Sequence, residues 1–153
     1  MKLLLSILSL LFISQLGYSQ TDSPTVFVLG ENEKNYERLT QDYSQSLLEA
    51  SGNDIKKAFN YWIDMMSAMD DYSERVRYDL KGVKVWIHVF WSKDGEIDHI
   101  GYILRPDSRN VDTAELSAFF SSFTRSYRFP LKSNKNFNHY TGASFPTFVQ
   151  RSN

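Results

Sequence analysis

The segment of the sequence that is richest in chemically active groups is WSKDGEIDH, which runs from Trp91 to His99. It brings together within nine residues the side chains of Lys93, Asp94, Glu96, Asp98 and His99. Carboxylates beside a histidine could hold a metal ion, and a pair of carboxylates is the minimum for acid–base hydrolysis of a glycosidic bond. Whether these side chains can act together depends on the secondary structure that carries them.

Two strand-like runs flank this segment. From Val83 to Trp91, β-branched residues alternate with aromatic and other residues, which predicts a strand with two distinct faces. A second run, Ile97 to Leu104, ends before Pro106, which cannot donate to a sheet. Lys93-Asp94-Gly95 fits a three-residue hairpin loop, because glycine adopts the left-handed backbone that such loops require. The segment is therefore predicted to be the turn of a β-hairpin.

A loop of this length predicts a register that separates the charged side chains. It pairs Val89 with His99, so that Asp98 and His99 point to opposite faces. His88 and His99 also lie on opposite faces, so these groups form neither a metal site nor a dyad. Glu96 and Asp98 share a face, but beside a solvated turn neither has the burial or the specific partner that a catalytic carboxyl needs. A hydrolase that uses these two carboxylates is therefore the third of three functional hypotheses.

The same register places three aromatic side chains, Trp86, Phe90 and Tyr102, on one face of the hairpin. The favoured interpretation is that helices cover this face and that the aromatic residues belong to the core. The alternative is an uncovered platform for a glycan, another small molecule or a partner protein. Trp86, Phe90 and Tyr102 are thus the ligand face of the second functional hypothesis, a small-molecule or glycan binder. His99 is interpreted as a hydrogen-bonded histidine at the margin of the core.

Other catalytic and cofactor patterns are missing from the sequence. The chain has no cysteine, which excludes disulfides, thiol nucleophiles and thiolate metal sites. It has no glycine-rich phosphate loop and no HExxH motif. His139, Tyr140 and Ser144 could form a hydrolytic set, but they lack the strand–turn–helix context that exposes a nucleophilic serine. We therefore expect a protein that is not an enzyme and that holds no metal or cofactor.

The first 19 residues have the layout of a secretory signal peptide. Lys2 precedes an apolar run from Leu3 to Leu16, and the small residues Gly17 and Ser19 follow. Cleavage after Ser19 is favoured over a retained membrane anchor, because the run is shorter than the ~20 apolar residues that a spanning helix needs. The protein is therefore expected to be exported to the periplasm or out of the cell, with no membrane span after cleavage.

Residues 20–153 have the length of a single domain. Without Lys2 this part carries 16 basic and 18 acidic residues, which gives a formal charge of −2. Near-neutral charge without a basic cluster argues against nucleic acid as a partner. It argues equally against electrostatic binding to a membrane.

The periodicity predicts an α+β domain whose helical part spans residues 20–80. One helix face is predicted from residues at spacings of 3, 4, 4 and 3, namely Tyr36, Leu39, Tyr43, Leu47 and Ala50. A second helix is predicted to begin after Asn53 and to end near Arg77, and a third to begin at Asp112. The segment Thr25–Gly30 is either a short strand or an extended arm. The predicted order is α-α-β-β-α-β, with about three helices packed on a small, mainly antiparallel sheet.

Residues 83–149 resemble the C-terminal domain of TonB-like periplasmic proteins. The resemblance lies in the segments VFWSKDGEID, DTAELSAFFSSF, YRFP and SFPTFV. These are similar to the family's Asp-Gly hairpin, its helix with a polar cap, its aromatic–x–Pro exit and its last strand ending in phenylalanine. The family also has a proline-rich spacer, which this chain replaces with the predicted helices between Asn32 and Arg77. Energy coupling between two membranes is therefore not expected.

The resemblance implies a binding mode in which the last strand pairs with an extended segment of a partner, by β-augmentation. The candidate edge strand is Ala143 to Val149, with Ala143, Phe145, Thr147 and Val149 as its binding residues. The first functional hypothesis is therefore an exported, non-enzymatic interaction module that binds a protein of the cell envelope by edge-strand pairing.

Overall fold

The structure, a computed structural model, describes residues 23–148. Within this range the elements are, in chain order, β1 (Val26–Val28), α1 (Glu33–Asp42), β2 (Gln45–Ser46), α2 (Leu47–Ala50), α3 (Ile55–Val76), β3 (Lys84–Trp91), β4 (Ile97–Leu104), α4 (Thr113–Ser126) and β5 (Phe137–Ser144). This content confirms the predicted α+β fold. The predicted signal peptide, residues 1–19, and Val149 of the predicted edge strand lie outside the described residues.

The strands form one mixed sheet in the order β1-β4-β3-β5-β2. The three long strands, β3, β4 and β5, are antiparallel where they pair with one another, as the sequence predicts. The two short strands at the margins pair in parallel, β1 with β4 and β2 with β5. The segment Thr25–Gly30 therefore contains a strand, whereas β2 has no counterpart in the prediction. The predicted order α-α-β-β-α-β is only partly correct.

The predicted first helix consists of two helices with a strand between them. α1 ends at Asp42, and β2 follows within three residues. The Ser46 side chain then accepts a hydrogen bond from Glu49 N, and the Glu49 carboxylate accepts one from Ser46 N. This capping box begins a new helix, α2. The prediction of one helix face from Tyr36 to Ala50 is wrong because the cap at Ser46 interrupts it.

The two longer helices begin and end close to the predicted residues. The N-cap of α3 is Asp54 rather than Asn53, because Asn53 has a left-handed backbone with φ of 60° and the Asp54 side chain accepts a bond from the first turn. α3 ends at Val76, with Arg77 as its C-cap, which is close to the predicted end near Arg77. Asp112 caps α4, also as predicted, by accepting bonds from two backbone amides of the first turn.

α3 and α4 cover one face of the sheet, here called the α3 face, and the main core lies between the helices and this face. Its fully buried side chains include Val85, Ile87, Val89, Trp91, Ile100 and Tyr102 from the sheet and Met65, Met69, Leu116 and Phe120 from the helices. Removal of one aliphatic or phenylalanine side chain of this size from water contributes about 1.5–3 kcal/mol. The α3 face is therefore the main source of stability.

The hairpin loop between β3 and β4 has the predicted geometry. Gly95 has a left-handed backbone with φ of 87°, and Gly95 N donates to Ser92 O at 2.9 Å. Ser92 N in turn donates to Glu96 O at 2.9 Å, which closes the loop. Trp91 pairs with Ile97, so the first pair after the loop is also as predicted.

A β-bulge in β4 changes the register beyond this pair. Phe90 pairs with His99, so Asp98 has no partner on β3. The extra residue reverses the face of every later residue of β4, because side chains alternate along a strand. The predictions that Val89 faces His99, and that His88 and His99 lie on opposite faces, are therefore wrong. Both histidines lie on the face of Phe90.

α1 covers part of this second face, here called the α1 face, through a smaller cluster. Leu39 and Tyr43 pack there on Phe90. The Tyr43 hydroxyl donates to the Asp98 carboxylate at 2.7 Å, and the Tyr43 ring meets His99 edge-on. Asp98 and His99 thus share the α1 face, which is the expected consequence of the bulge.

Candidate functional site

The outer edge of β5 is partly open. On its inner side β5 pairs with β3 over all eight of its residues, from Phe137 to Ser144. On its outer side it pairs with β2 at Phe137 and Asn138 alone within residues 23–148. The part of the strand from Tyr140 to Ser144, here called the β5 edge, therefore has a strand neighbour on one side and none on the other in the described part of the chain.

The backbone groups that face outward from the β5 edge follow from the register. Phe145 N donates to Val83 O at 2.9 Å, which fixes this pair as a hydrogen-bonded one. Since bonded pairs alternate along an antiparallel ladder, Ala143 and Thr141 also direct their backbone groups to β3. Tyr140, Gly142 and Ser144 then direct their N–H and C=O groups outward. Within residues 23–148 these outward groups have no hydrogen-bond partner.

A groove lies beside the β5 edge on the α3 face. Its walls are Trp62, Ile63 and Met66 from α3, Gly142–Ser144 from β5, and Pro146, Thr147 and Phe148 after the strand. Its volume is about 320 Å³. Thr147 N donates to the Asp70 carboxylate at 2.7 Å, which ties the segment after β5 to α3. This feature is called the α3 groove below.

Two aromatic rings lie beside the β5 edge on the α1 face. The rings of Trp86 and Tyr140 are nearly parallel, at 18°, with centroids 6.1 Å apart. Trp86 lies against Gly142, where an added Cβ would come within 3.2 Å of the indole, and the Arg105 guanidinium lies 5.6 Å from the Trp86 ring. Trp86 is 43% exposed and Tyr140 is 50% exposed, so both rings are accessible from solvent.

The predicted ligand face of Trp86, Phe90 and Tyr102 is not formed. Phe90 is fully buried beneath α1. The bulge at Asp98 places Tyr102 on the α3 face, where it is fully buried and its hydroxyl donates to Thr113 O at 2.8 Å. Trp86 is the one residue of the three that is accessible. Its neighbour Tyr140 was missed because pairing of β3 with β5 could not be read from local periodicity.

The residues of the predicted edge strand occupy several environments. β5 ends at Ser144, so Ala143 lies in the strand whereas Phe145 and Thr147 follow it. Ala143 and Phe145 are buried, and their backbone groups face β3. The outward backbone groups belong instead to Tyr140, Gly142 and Ser144. The predicted segment thus borders the β5 edge and forms one wall of the α3 groove.

A buried hydrogen-bond chain connects α1 to the sheet near Tyr140. Asn138 Nδ2 donates to Tyr43 O and Gln45 O, so the Asn138 Oδ1 atom is the acceptor for His88 Nε2 at 2.8 Å. His88 Nδ1 then accepts from the Tyr36 hydroxyl at 2.9 Å. Burial lowers the pKa of His88 below its usual value, although the bond to Asn138 opposes this effect. His88 is therefore a neutral structural histidine.

The charged side chains of the hairpin have separate partners. Glu96 forms an exposed ion pair with Arg128, whereas Asp98 accepts the bond from Tyr43. Both carboxylates line an open groove of about 490 Å³ at the end of α4, together with Arg125. Within residues 23–148, no three histidine, aspartate or glutamate side chains are grouped so that they could hold a metal ion.

The other sequence-derived hydrolytic set is divided by the sheet. His139 lies on the α3 face, where it contacts Trp62 and where burial lowers its pKa. Tyr140 and Ser144 lie on the α1 face, because they are an odd number of residues from His139 along β5. The three side chains are therefore not brought together.

Comparison with protein-family models, with curated proteins and with solved structures found no match to this chain. Among the helices of residues 23–148, none is long and apolar enough to cross a membrane. The feature that bears most directly on function is the open β5 edge, with the α3 groove on one side and Trp86 and Tyr140 on the other.

Proposed function

We propose that this protein is a non-enzymatic interaction module that binds an extended segment of a partner protein at the β5 edge. The observation that carries the proposal is the outward direction of the N–H and C=O groups of Tyr140, Gly142 and Ser144. An added strand satisfies such groups with main-chain hydrogen bonds, as in β-augmentation. The resemblance of residues 83–149 to TonB-like C-terminal domains supports the same binding mode.

The surfaces beside the edge support a peptide rather than an isolated small molecule as the ligand. A long open edge strand can pair with other chains and aggregate, so proteins commonly protect such an edge with charged side chains, proline or a covering element. Here β2 pairs with the first two residues of β5 and α2 also contacts the strand. Within residues 23–148, Tyr140 to Ser144 have no strand partner on this side, and apolar surface borders them on both faces. Side chains of an added strand alternate between the two faces, so both surfaces would contact the same ligand.

The signal-like pattern of residues 1–19 supports a partner in the cell envelope or outside the cell. On this proposal the protein is exported and meets its partner there. The formal charge of −2 for residues 20–153 is consistent with a protein partner rather than a nucleic acid.

The test is selection of linear peptides from a random displayed library with the purified protein. Ser144→Pro removes one outward donor without removing a bond to β3, because Ser144 N faces away from that strand. Ser144→Ala keeps the donor and is the matched control. We expect selected peptides to bind the wild type and Ser144→Ala alike and to lose about tenfold in affinity, about 1.4 kcal/mol, with Ser144→Pro.

Backbone amide exchange provides the second readout of this experiment. Bound peptide should slow exchange at Tyr140, Gly142 and Ser144, whose N–H groups face outward. The proposed function would be overturned if the peptides bound Ser144→Pro as tightly as Ser144→Ala and if bound peptide did not slow exchange at these amides.

A further inference from the structure

The register of β5 determines where the side chains of an added strand would point. Thr141 and Ala143 direct their side chains to the α3 face, because they pair with the core residues Ile87 and Val85. Directly opposed residues of neighbouring strands share a face. The partner residue opposite Ala143 therefore points to the α3 groove, and the residue opposite Gly142 points to the α1 face beside Trp86.

The α3 groove is large enough to take a bulky side chain from this position. Ala143 contributes only a methyl group to this face, so the side chains of β5 do not fill the groove above it. The groove has a volume of about 320 Å³. An apolar cavity of about 150 Å³ already accommodates benzene.

The residues that line the groove favour an apolar side chain from the partner. Trp62, Ile63 and Met66 supply the α3 wall, and no charged side chain of residues 23–148 is among the lining residues. A charged group placed there would leave water without a counter-ion among the lining residues, which is costly. An apolar side chain instead gains free energy in proportion to the apolar area that it removes from water.

The apolar surface of α3 continues past the groove. Ile55 and Phe59 share a helix face with Trp62 and Met66, because they recur at spacings of four, three and four. Ile55 is 73% exposed and Phe59 is 38% exposed. Phe148, on the other wall, is 87% exposed. The apolar contact surface is thus longer than the groove itself.

We propose that the partner segment carries a bulky apolar residue opposite Ala143, which inserts into the α3 groove and determines specificity. The occupant is an extended peptide segment of another protein, and the residue next to the anchor packs on Trp86. This inference rests on the proposed function, since it requires pairing at the β5 edge.

The test uses the peptides that the displayed library yields. The peptides chosen are those that bind Ser144→Pro more weakly than Ser144→Ala, since their binding depends on the β5 edge. In each of them, every position is replaced in turn by alanine and by aspartate. We expect one position to require an apolar residue, with a loss of at least about tenfold on replacement by aspartate. The peptide position two residues from this one should show the next largest loss of affinity, because its side chain also points to the α3 face.

Photo-crosslinking identifies what the anchor contacts without any change to the protein. A diazirine analogue of leucine at the required position should crosslink to Ile63 or Met66. The same analogue one residue away should crosslink instead to Trp86 or Tyr140.

The outcomes separate this inference from the proposed function. Edge-dependent peptides with no apolar requirement, or an anchor that crosslinks only to the α1 face, would overturn the inference and leave the function intact. Absence of edge-dependent peptides would overturn both. A concentration-dependent dimer of the chain that Ser144→Pro abolishes would show that a second copy occupies the edge, and it would also overturn the inference.

Discussion

The Tyr43 hydroxyl donates a hydrogen bond of 2.7 Å to the carboxylate of Asp98. This contact joins the residue at the end of α1 to the residue that bulges from β4. Burial raises the pKa of Tyr43, and the bond to Asp98 raises it further, so the phenol remains the donor. The bulge therefore supplies the acceptor for the hydroxyl at the end of α1.

Tyr43→Phe tests this link between α1 and the bulge. The substitution keeps the ring on Phe90 and removes the donor, so we expect the free energy of unfolding to fall by about 1–2 kcal/mol. Urea denaturation measures the change. Tyr61→Phe is the matched control, because the Tyr61 hydroxyl has no hydrogen-bond partner within residues 23–148, and it should change stability by less than about 0.5 kcal/mol. Equal effects of the two substitutions would contradict the assigned role of Asp98.

The same bulge explains which part of the hairpin could be predicted. The loop and the Trp91–Ile97 pair follow from the Lys93-Asp94-Gly95 pattern, and both are observed. The faces beyond them were wrong because one extra residue inverts a strand. A signal was present: Ile97 and Ile100, both buried on the α3 face, are three residues apart, whereas one face of a regular strand recurs every two.

Long-range pairing limited the rest of the prediction. β2 is two residues long and forms only because Asn138 and Phe137 lie beside it, so no local pattern indicates it. The residues that face outward at the edge could not be predicted for the same reason. The outward direction of Tyr140, Gly142 and Ser144 depends on the pairing of β5 with β3. The end of α3 near Arg77 and the N-cap of α4 at Asp112 were predicted because they depend on neighbouring residues alone.

Trp91 and Trp86 differ in burial, which predicts different costs for their removal. Trp91 is fully buried and stacks on Phe137 at a centroid distance of 5.2 Å, whereas Trp86 is 43% exposed. Trp91→Ala should lower the free energy of unfolding by about 3–5 kcal/mol. Trp86→Ala should lower it by about 1 kcal/mol or less. Circular dichroism is the suitable probe, because both changes alter fluorescence. A large cost for Trp86→Ala would show that this ring is structural rather than available to a ligand.

Gly95 should tolerate substitution less well than another glycine with the same backbone handedness. Gly95 has φ of 87° and Gly52 has φ of 75°, so alanine at either position pays the left-handed cost of about 1–2 kcal/mol. At Gly95 the new Cβ would also collide with the Phe129 carbonyl oxygen, whereas at Gly52 it meets nothing within 4 Å. We expect Gly95→Ala to cost at least about 1–3 kcal/mol more than Gly52→Ala, measured by thermal or urea unfolding. Similar costs would show that the hairpin shifts away from Phe129 without penalty.

His88 predicts how stability depends on pH. Its ring is buried between Tyr36 and Asn138, and burial lowers its pKa below the usual value of about 6.5. In the unfolded chain the imidazole keeps its usual pKa, so between that value and the lower folded pKa the unfolded state binds more protons. The contribution to stability is therefore present above about pH 6.5 and is lost as the pH falls through this window.

The wild type should accordingly be less stable at pH 5 than at pH 7, as measured by urea unfolding at each pH. His88→Gln removes the titrating group, so its stability should change less between the two pH values. Part of the dependence should remain in this variant, because burial also lowers the pKa of His139 on the other face of the sheet. The double variant with His139→Gln should flatten the profile further. A wild type that is equally stable at both pH values, or more stable at pH 5, would contradict the assignment of His88 as a neutral buried histidine.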